Sequence, residues 1–287
     1  MRAHFCYYYY FPLLNLLTTL LVAPFASSAF ETTNPPTTFR QSFLHFMTSS
    51  SENSCNPDDT GNARSSIKVL GVCGGIGSGK SSASKLLVSE LGCLAHLDAD
   101  SLAHSVYSPG SQAVKEIVAA FGEDILQEEN KDEIDRKKLG TIVFADRSEM
   151  AKLERLVWPH VKTILMNRIE DVKSEWHEGK IQTESAVPVV VLEAAVLLDA
   201  EWDDILDGVW VVKAPKEVAL RRLMETRGLS QDESEKRIQA QQSRRGIGNL
   251  EEEIQNKVVT NVIENSGSLE DLRNALEVAL RDPKSWK

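Results

Sequence analysis

The sequence has no surplus of positive charge: 32 lysines and arginines face 42 aspartates and glutamates, a net charge of −10 over 287 residues. Binding along a nucleic-acid backbone by bulk electrostatics is thereby disfavoured, and no nucleic-acid partner is expected. Cysteine is scarce and scattered. Cys6, Cys55, Cys73 and Cys93 form no C-x-x-C pair, so neither a zinc site nor a disulfide framework is indicated, and a reducing compartment is expected for the folded part. The apolar run Phe11–Val22 is about a dozen residues, short of the roughly 20 that a membrane-spanning helix needs, so no stable membrane anchor is expected in the mature form. Core material is not lacking: 42% hydrophobic and 26% charged residues exclude wholesale disorder.

Charge is also missing from one end of the chain. Residues 1–66 carry only Arg2, Arg40 and Arg64 against Glu31, Glu52, Asp58 and Asp59. A lone Arg2, the apolar run and the small residues Ala26-Ser-Ser-Ala29 read as a secretory signal peptide. The Ser-, Thr- and Pro-rich stretch behind it has the composition of a transit peptide or an unstructured linker, so residues 1–66 are assigned to a presequence and linker with no packed element. Phe30 directly after Ser28-Ala29, followed by the Ser/Thr-rich tract, resembles the bipartite plastid presequences of algae with secondary plastids. That resemblance implies plastid delivery through the secretory route; an ordinary signal peptide, or translation from Met47 to give a cytosolic enzyme, are the alternatives.

From residue 67 the pattern changes. Ile67-Lys-Val-Leu-Gly-Val-Cys73 is a short β-branched run suited to a strand buried on both faces. Behind it stand Gly74-Gly-Ile-Gly-Ser-Gly-Lys-Ser81 and a segment whose Ala83, Leu86, Leu87 and Leu91 fall on one helical face. Strand, glycine loop and helix in this order match G-x-x-x-x-G-K-[ST], the phosphate-binding loop, in the context the motif requires. Residues without Cβ let backbone N–H groups curl around a phosphate, and the helix N-terminus adds its positive end. Gly75, Ile76, Gly77, Ser78, Gly79, Lys80, Ser81 and Ser82 are therefore the nucleotide-binding candidates. Lys80 is placed to reach the β- and γ-phosphates and the Ser81 hydroxyl to coordinate Mg²⁺, which makes ATP and Mg²⁺ the expected cofactors.

A GTPase would need D-x-x-G and N-K-x-D motifs after the loop, and neither is present. Phosphotransfer to a small acceptor, or ATP hydrolysis coupled to a conformational change, remains. The second strand expected, Cys93–Leu97, runs into Asp98-Ala-Asp100, carboxylates at the strand end where open parallel sheets build their sites. Asp100 is the catalytic candidate, able to accept an acceptor hydroxyl's proton or to order Mg²⁺ through water; Asp98 has the alternative of capping the following helix. His96 and His104 lack metal-ligand spacing and read as structural, and Cys73 as a small buried hydrophobe. Arg221 and Arg222 are equally consistent with phosphate contact and with solvated helix charge. Trp158, Trp202 and Trp210 read as packing residues.

These residues resemble the dephospho-CoA kinase family, in particular the kinase domain of eukaryotic bifunctional CoA synthases. The resemblance spans residues 67 to about 280. Beyond the loop it rests on Leu97-Asp-Ala-Asp100, Tyr107-Ser-Pro-Gly110, Ile134-Asp-Arg136 with Leu139-Gly140, Val143-Phe144, Trp158-Pro159, the run Val191–Trp202, Gly228-Leu-Ser230 and Asn265-Ser-Gly267. It implies ATP-dependent phosphorylation of the 3′-hydroxyl of dephospho-CoA to give CoA and ADP. Three departures stand out. Glu193 takes the place of a usual Asp, Asp199 that of a usual Glu, and Thr226-Arg227-Gly228 that of the usual Arg-Asp-Gly, so a phosphate-contacting arginine is replaced by threonine. Arg227 is expected to compensate as a catalytic residue, ahead of Arg244 and Arg245, which lie in a segment lengthened by Gly246-Ile-Gly-Asn249.

The expected architecture is α/β, a P-loop nucleoside-triphosphate kinase fold over residues 67–287. Strands at 67–73, 93–97, 187–192, 208–213 and 260–263 form a five-stranded parallel sheet, and helical runs at 111–121 and 150–176 belong to an acceptor-binding insertion. Helices near 217–227 and 269–280 cover the sheet, and residues 229–255 form a mobile lid. The alternatives are another P-loop small-molecule kinase, of the nucleoside or shikimate type, and a nucleotide-binding regulator without turnover.

Overall fold

The computed structural model describes residues 66–183 and 188–287. The expected presequence up to residue 65, and Val187 at the start of the expected third strand, lie outside that range. Five strands, β1 (Lys68–Cys73), β2 (Ala95–Asp98), β3 (Val189–Glu193), β4 (Gly208–Lys213) and β5 (Asn261–Glu264), make one sheet in the order β2-β3-β1-β4-β5. Every pairing is parallel. The interior strands are nearly continuous apolar runs, as burial on both faces demands; β3, Val-Val-Val-Leu-Glu, is buried throughout. Each expected strand is present with its ends shifted by at most two residues. The shift matters at β2, which begins later and ends on Asp98 itself.

The helices are α1 (Lys80–Ser89), the single turn α2 (Ala99–Leu102), α3 (Gln112–Phe121), α4 (Arg136–Ala145), α5 (Arg147–His177), α6 (Lys216–Arg227), α7 (Gln231–Ala240), α8 (Leu250–Gln255) and α9 (Leu269–Arg281). Alternation along the strands divides the core in two. Leu70, Val72, Val189, Val191, Trp210 and Val212 meet α1 and α9 through Leu87, Leu272 and Leu276. Val69, Val190, Leu192, Val209 and Val211 join the other core, to which the insertion between β2 and β3 contributes. That insertion is helical, as expected, and dominated by α5. Its buried Met150, Leu153, Val157, Val161, Leu165, Ile169 and Val172 recur every three or four residues, an apolar stripe that carries the helix through Pro159. Trp202 and Trp210 are fully buried, and Trp158 packs at the edge of the core, in keeping with packing roles.

The segment expected as a lid consists of α7, α8 and the turn between them. α7 opens with a capping box in which Ser230 and Glu233 bond each other's backbone N–H groups. The turn is anchored in this conformation. Arg244 pairs with Asp199 at 3.0 Å. Arg245 donates to both oxygens of Glu253 and to the carbonyl of Leu198.

Candidate active site

The phosphate loop leaves the carboxyl end of β1 and enters α1. Two of its glycines admit nothing larger. Gly74 (φ 147°) would place a Cβ 2.3 Å from the carbonyl of Val212, and Gly79 (φ 92°) would place one 2.2 Å from the Asn265 amide nitrogen. Gly79 is also the N-cap of α1 and offers no side chain to its amides, and no acidic residue lies in the first turn. By contrast α2, α3, α4, α5, α7 and α9 are all capped by a serine or aspartate side chain. The first intrahelical bond of α1 runs from Ala83 to Gly79, so the amides of Lys80, Ser81 and Ser82 remain free for an anion.

Carboxylates converge beside this helix because β1, β2 and β3 end together: Val72 and Asp98 are both in register with Glu193. Ser81 Oγ donates to Glu193 Oε1 at 2.5 Å, and His96 Nε2 lies 2.9 Å from Glu193 Oε2. Glu193 is only 5% exposed. Burial pushes its carboxyl up, but the bonds from His96 and Ser81 and the nearby Lys80 ammonium outweigh it, leaving the group below the usual range and ionised.

The two aspartates after β2 separate into distinct roles. Asp98 caps α2, accepting from the amides of Asp100 and Ser101 at 3.0 and 3.3 Å and from the Ser101 hydroxyl at 2.9 Å. Asp100 Oδ1 is buried with no hydrogen-bond partner among the described residues. Burial raises the Asp100 carboxyl to about 6; Lys80 opposes the shift and Asp98 and Glu193 add to it. Lys80 thus acts on both Asp100 and Glu193 from the centre of the site. Nearby in the insertion, the Arg136 guanidinium lies 5.7 Å from the Tyr107 ring centre, bringing together two of the sequence motifs. Cys73 is buried, its thiol raised to about 12 chiefly by burial, which suits a packing residue.

Arginine placement differs from the expectation. Arg222 faces the phosphate loop: its guanidinium lies 3.4 Å from the carbonyl of Gly77 and 3.2 Å from that of Ser78, and reaches Asn265 Oδ1 at 3.1 Å. Asn265 in turn donates to the Ser78 carbonyl at 2.8 Å. Arg227 is exposed in the last turn of α6. Five helical residues beyond Arg222 put it about 7.5 Å along and about 140° around the axis, away from the loop-facing side. Thr226 does lie on that side, but its hydroxyl is spent on the Arg222 carbonyl at 2.6 Å. The geometry therefore does not bring Arg227 to the phosphates, and Arg244 and Arg245 are engaged elsewhere. Gln241, at the end of α7, completes the brace: its buried side-chain oxygen accepts from the Ile76 amide at 2.6 Å.

Glu193, Gln241 and Asn265 were not among the sequence-derived site candidates, Arg222 was open between phosphate contact and solvated charge, and His96 was read as structural. Asn265 and Glu193 carried a signal in the family motifs, Arg222 one in its charge and His96 one in its place beside Asp98; nothing local marked Gln241.

A parallel sheet in the order 2-3-1-4-5, opened by a strand, a glycine loop and a side-chain-free helix start, places the chain among the P-loop kinases. The narrower assignment comes from comparison. The dephospho-CoA kinase family profile matches residues 68–271, and the chain belongs to that family. Dephospho-CoA kinases from Geobacter sulfurreducens and Carboxydothermus hydrogenoformans are 38% and 36% identical over 74% and 77% of this chain and 96% of each relative. One from Arabidopsis thaliana is 32% identical over 77% of this chain and 87% of its own length. A crystal structure from Thermus thermophilus superposes with a TM-score of 0.54 at 32% identity, covering 75% of this chain and 96% of that one. The chain is accordingly a kinase that uses ATP.

Proposed function

We propose that this kinase transfers the γ-phosphoryl group of ATP to the 3′-hydroxyl of dephospho-CoA, giving CoA and ADP. The observation that carries the mechanism is the Asp100 carboxylate, whose buried Oδ1 has no partner among the described residues and which lies within reach of the Lys80 charge. Asp100 takes the proton of the attacking hydroxyl, and a carboxyl at about 6 is ionised at neutral pH yet basic enough to accept it. Lys80 and the free amides of α1 hold the phosphates and stabilise the charge that spreads over the transferred group. Arg222 and Asn265 hold the loop carbonyls, so that the amides face inward. Arg136 and Asp98 both act on His104, and Arg136 stacks on Tyr107, which supports a role for the Tyr107–Arg136 side in receiving the acceptor.

The donor set also fits magnesium. Ser81 and Glu193 offer hard oxygens, and a magnesium site of this kind takes one or two protein oxygens plus those of the nucleotide. Magnesium bound there would neutralise charge on the β- and γ-phosphates. An ADP-release assay on the purified protein tests the acceptor. Turnover that appears with dephospho-CoA and not with nucleosides or shikimate is expected; equal turnover with those acceptors would overturn it, and ATP binding without turnover would favour a regulator.

The residue pattern of segment 1–66 supports plastid delivery through the secretory route as part of the same reading. A fluorescent fusion of residues 1–66 that stays in the cytosol would remove it.

A further inference from the structure

We propose that His96 is a positioning residue for nucleotide-bound magnesium: its ring holds the Glu193 carboxylate against the Ser81 hydroxyl and thereby sets which way the serine oxygen faces. The inference rests on the reading of Ser81 and Glu193 as the magnesium side of the site. His96 is in register with Val191, and Glu193 lies two residues further on β3, so the two side chains share a sheet face as diagonal neighbours. That is the face that carries α1, which starts with Lys80 and Ser81.

The carboxylate is held by both oxygens, Oε1 by Ser81 at 2.5 Å and Oε2 by His96 at 2.9 Å. A glutamate has one more methylene and one more torsion than an aspartate, so a single anchor would leave its carboxylate free to turn. Two anchors remove that freedom. Since an ionised carboxylate only accepts, the ring donates through Nε2–H and the serine donates through its own O–H. The serine proton is thus committed to Glu193, and the oxygen lone pairs are left facing away from it, available to a cation. Without His96, Oε2 has no other hydrogen-bond partner in the described residues, and the carboxylate is free to turn about its last torsion. That turn releases the Ser81 proton and spoils the oxygen as a ligand.

The test is calorimetric titration of ADP into the full chain, once with Mg²⁺ and once with a chelator. Wild type is expected to bind ADP more tightly with Mg²⁺. His96→Val should lose about 10- to 100-fold of that magnesium-dependent gain, the range typical of groups that orient metal ligands, with metal-free ADP affinity within about twofold. His96→Gln, whose amide can donate to the carboxylate, should recover most of the gain. His96→Ala replaces the valine variant if that one does not fold. A full magnesium-dependent gain in His96→Val, or equal losses with and without Mg²⁺, would overturn the assignment. A wild type with no magnesium-dependent gain would overturn the reading of Ser81 itself, and the role of His96 with it.

Discussion

The phosphate loop from Gly74 to Ser82 is one unbroken stretch of chain, while the groups that hold its shape arrive from β2, β3, α6, the end of α7 and the end of β5. The loop needs little from its side chains, because its donors are backbone amides and its shape comes from glycines at positive φ. The brace is made of side chains: Gln241 on the Ile76 amide, Arg222 and Asn265 on the Gly77 and Ser78 carbonyls, Glu193 on Ser81. Backbone donors can be specified by a local motif. Side-chain partners depend on which strands and helices come to lie side by side, so the two regions should respond differently to substitution.

The largest effects are expected where a group meets the reacting atoms. Asp100→Asn should lower kcat by about 10²–10⁴ and leave ATP affinity nearly unchanged, as loss of a positioned base does. Because the carboxylate must be ionised to take a proton and its value is raised to about 6, kcat/KM of the wild type should fall as pH drops below about 6. The Asn variant should lack that acid limb. A crippled Asp98→Asn beside a normal Asp100→Asn would reverse the two roles.

Lys80→Ala should cost about 10²–10³ in rate, the loss typical of one preorganised charge donor, with a melting temperature close to that of the wild type. High residual activity would show that the loop amides suffice without the ammonium.

In the brace the effects should be smaller and should appear in KM rather than kcat. Arg222→Ala removes charge-assisted hydrogen bonds worth about 1.5–3 kcal/mol and should raise the KM for ATP by about tenfold or more. Gln241→Leu leaves the Ile76 amide unpaired beside the loop, at about 1–3 kcal/mol, so thermal stability should drop and KM should rise by a few fold. Gln241→Glu keeps an acceptor there and should recover the stability. Arg227→Ala should change neither constant by more than about twofold, as expected of an exposed side chain away from such features. If Arg227→Ala proved as damaging as Arg222→Ala, the end of α6 would have to rearrange during turnover.

Much of the nucleotide side was legible without coordinates. The run Ile67–Cys73 and the glycine pattern of Gly74–Ser81 prescribe a buried strand, a tight anion loop and a helix start, each from neighbouring residues. The choice between Asp98 and Asp100 was also within reach, since an aspartate directly before a helical turn can cap it, and Asp98 does. The arginines were not legible. Charge and proximity to Thr226 favoured Arg227, but position around a helix decides which side chain looks inward, and Arg222 occupies that side. Arg244 and Arg245 are ordinary cations in the sequence; only the approach of Asp199 and Glu253 makes them anchors of the turn after α7.

Sequence by itself determined the parallel α/β architecture, the helical insertion and the phosphate loop, because periodicity, glycine and capping act over a few residues and leave a local trace. Tertiary structure alone decided the brace. His96 and Glu193 stand 97 residues apart, and Ile76 and Gln241 165 apart. Each pair exists because strand register or helix packing closes that distance, and a hydrogen bond between residues so far apart leaves no periodic signature in the chain that makes it.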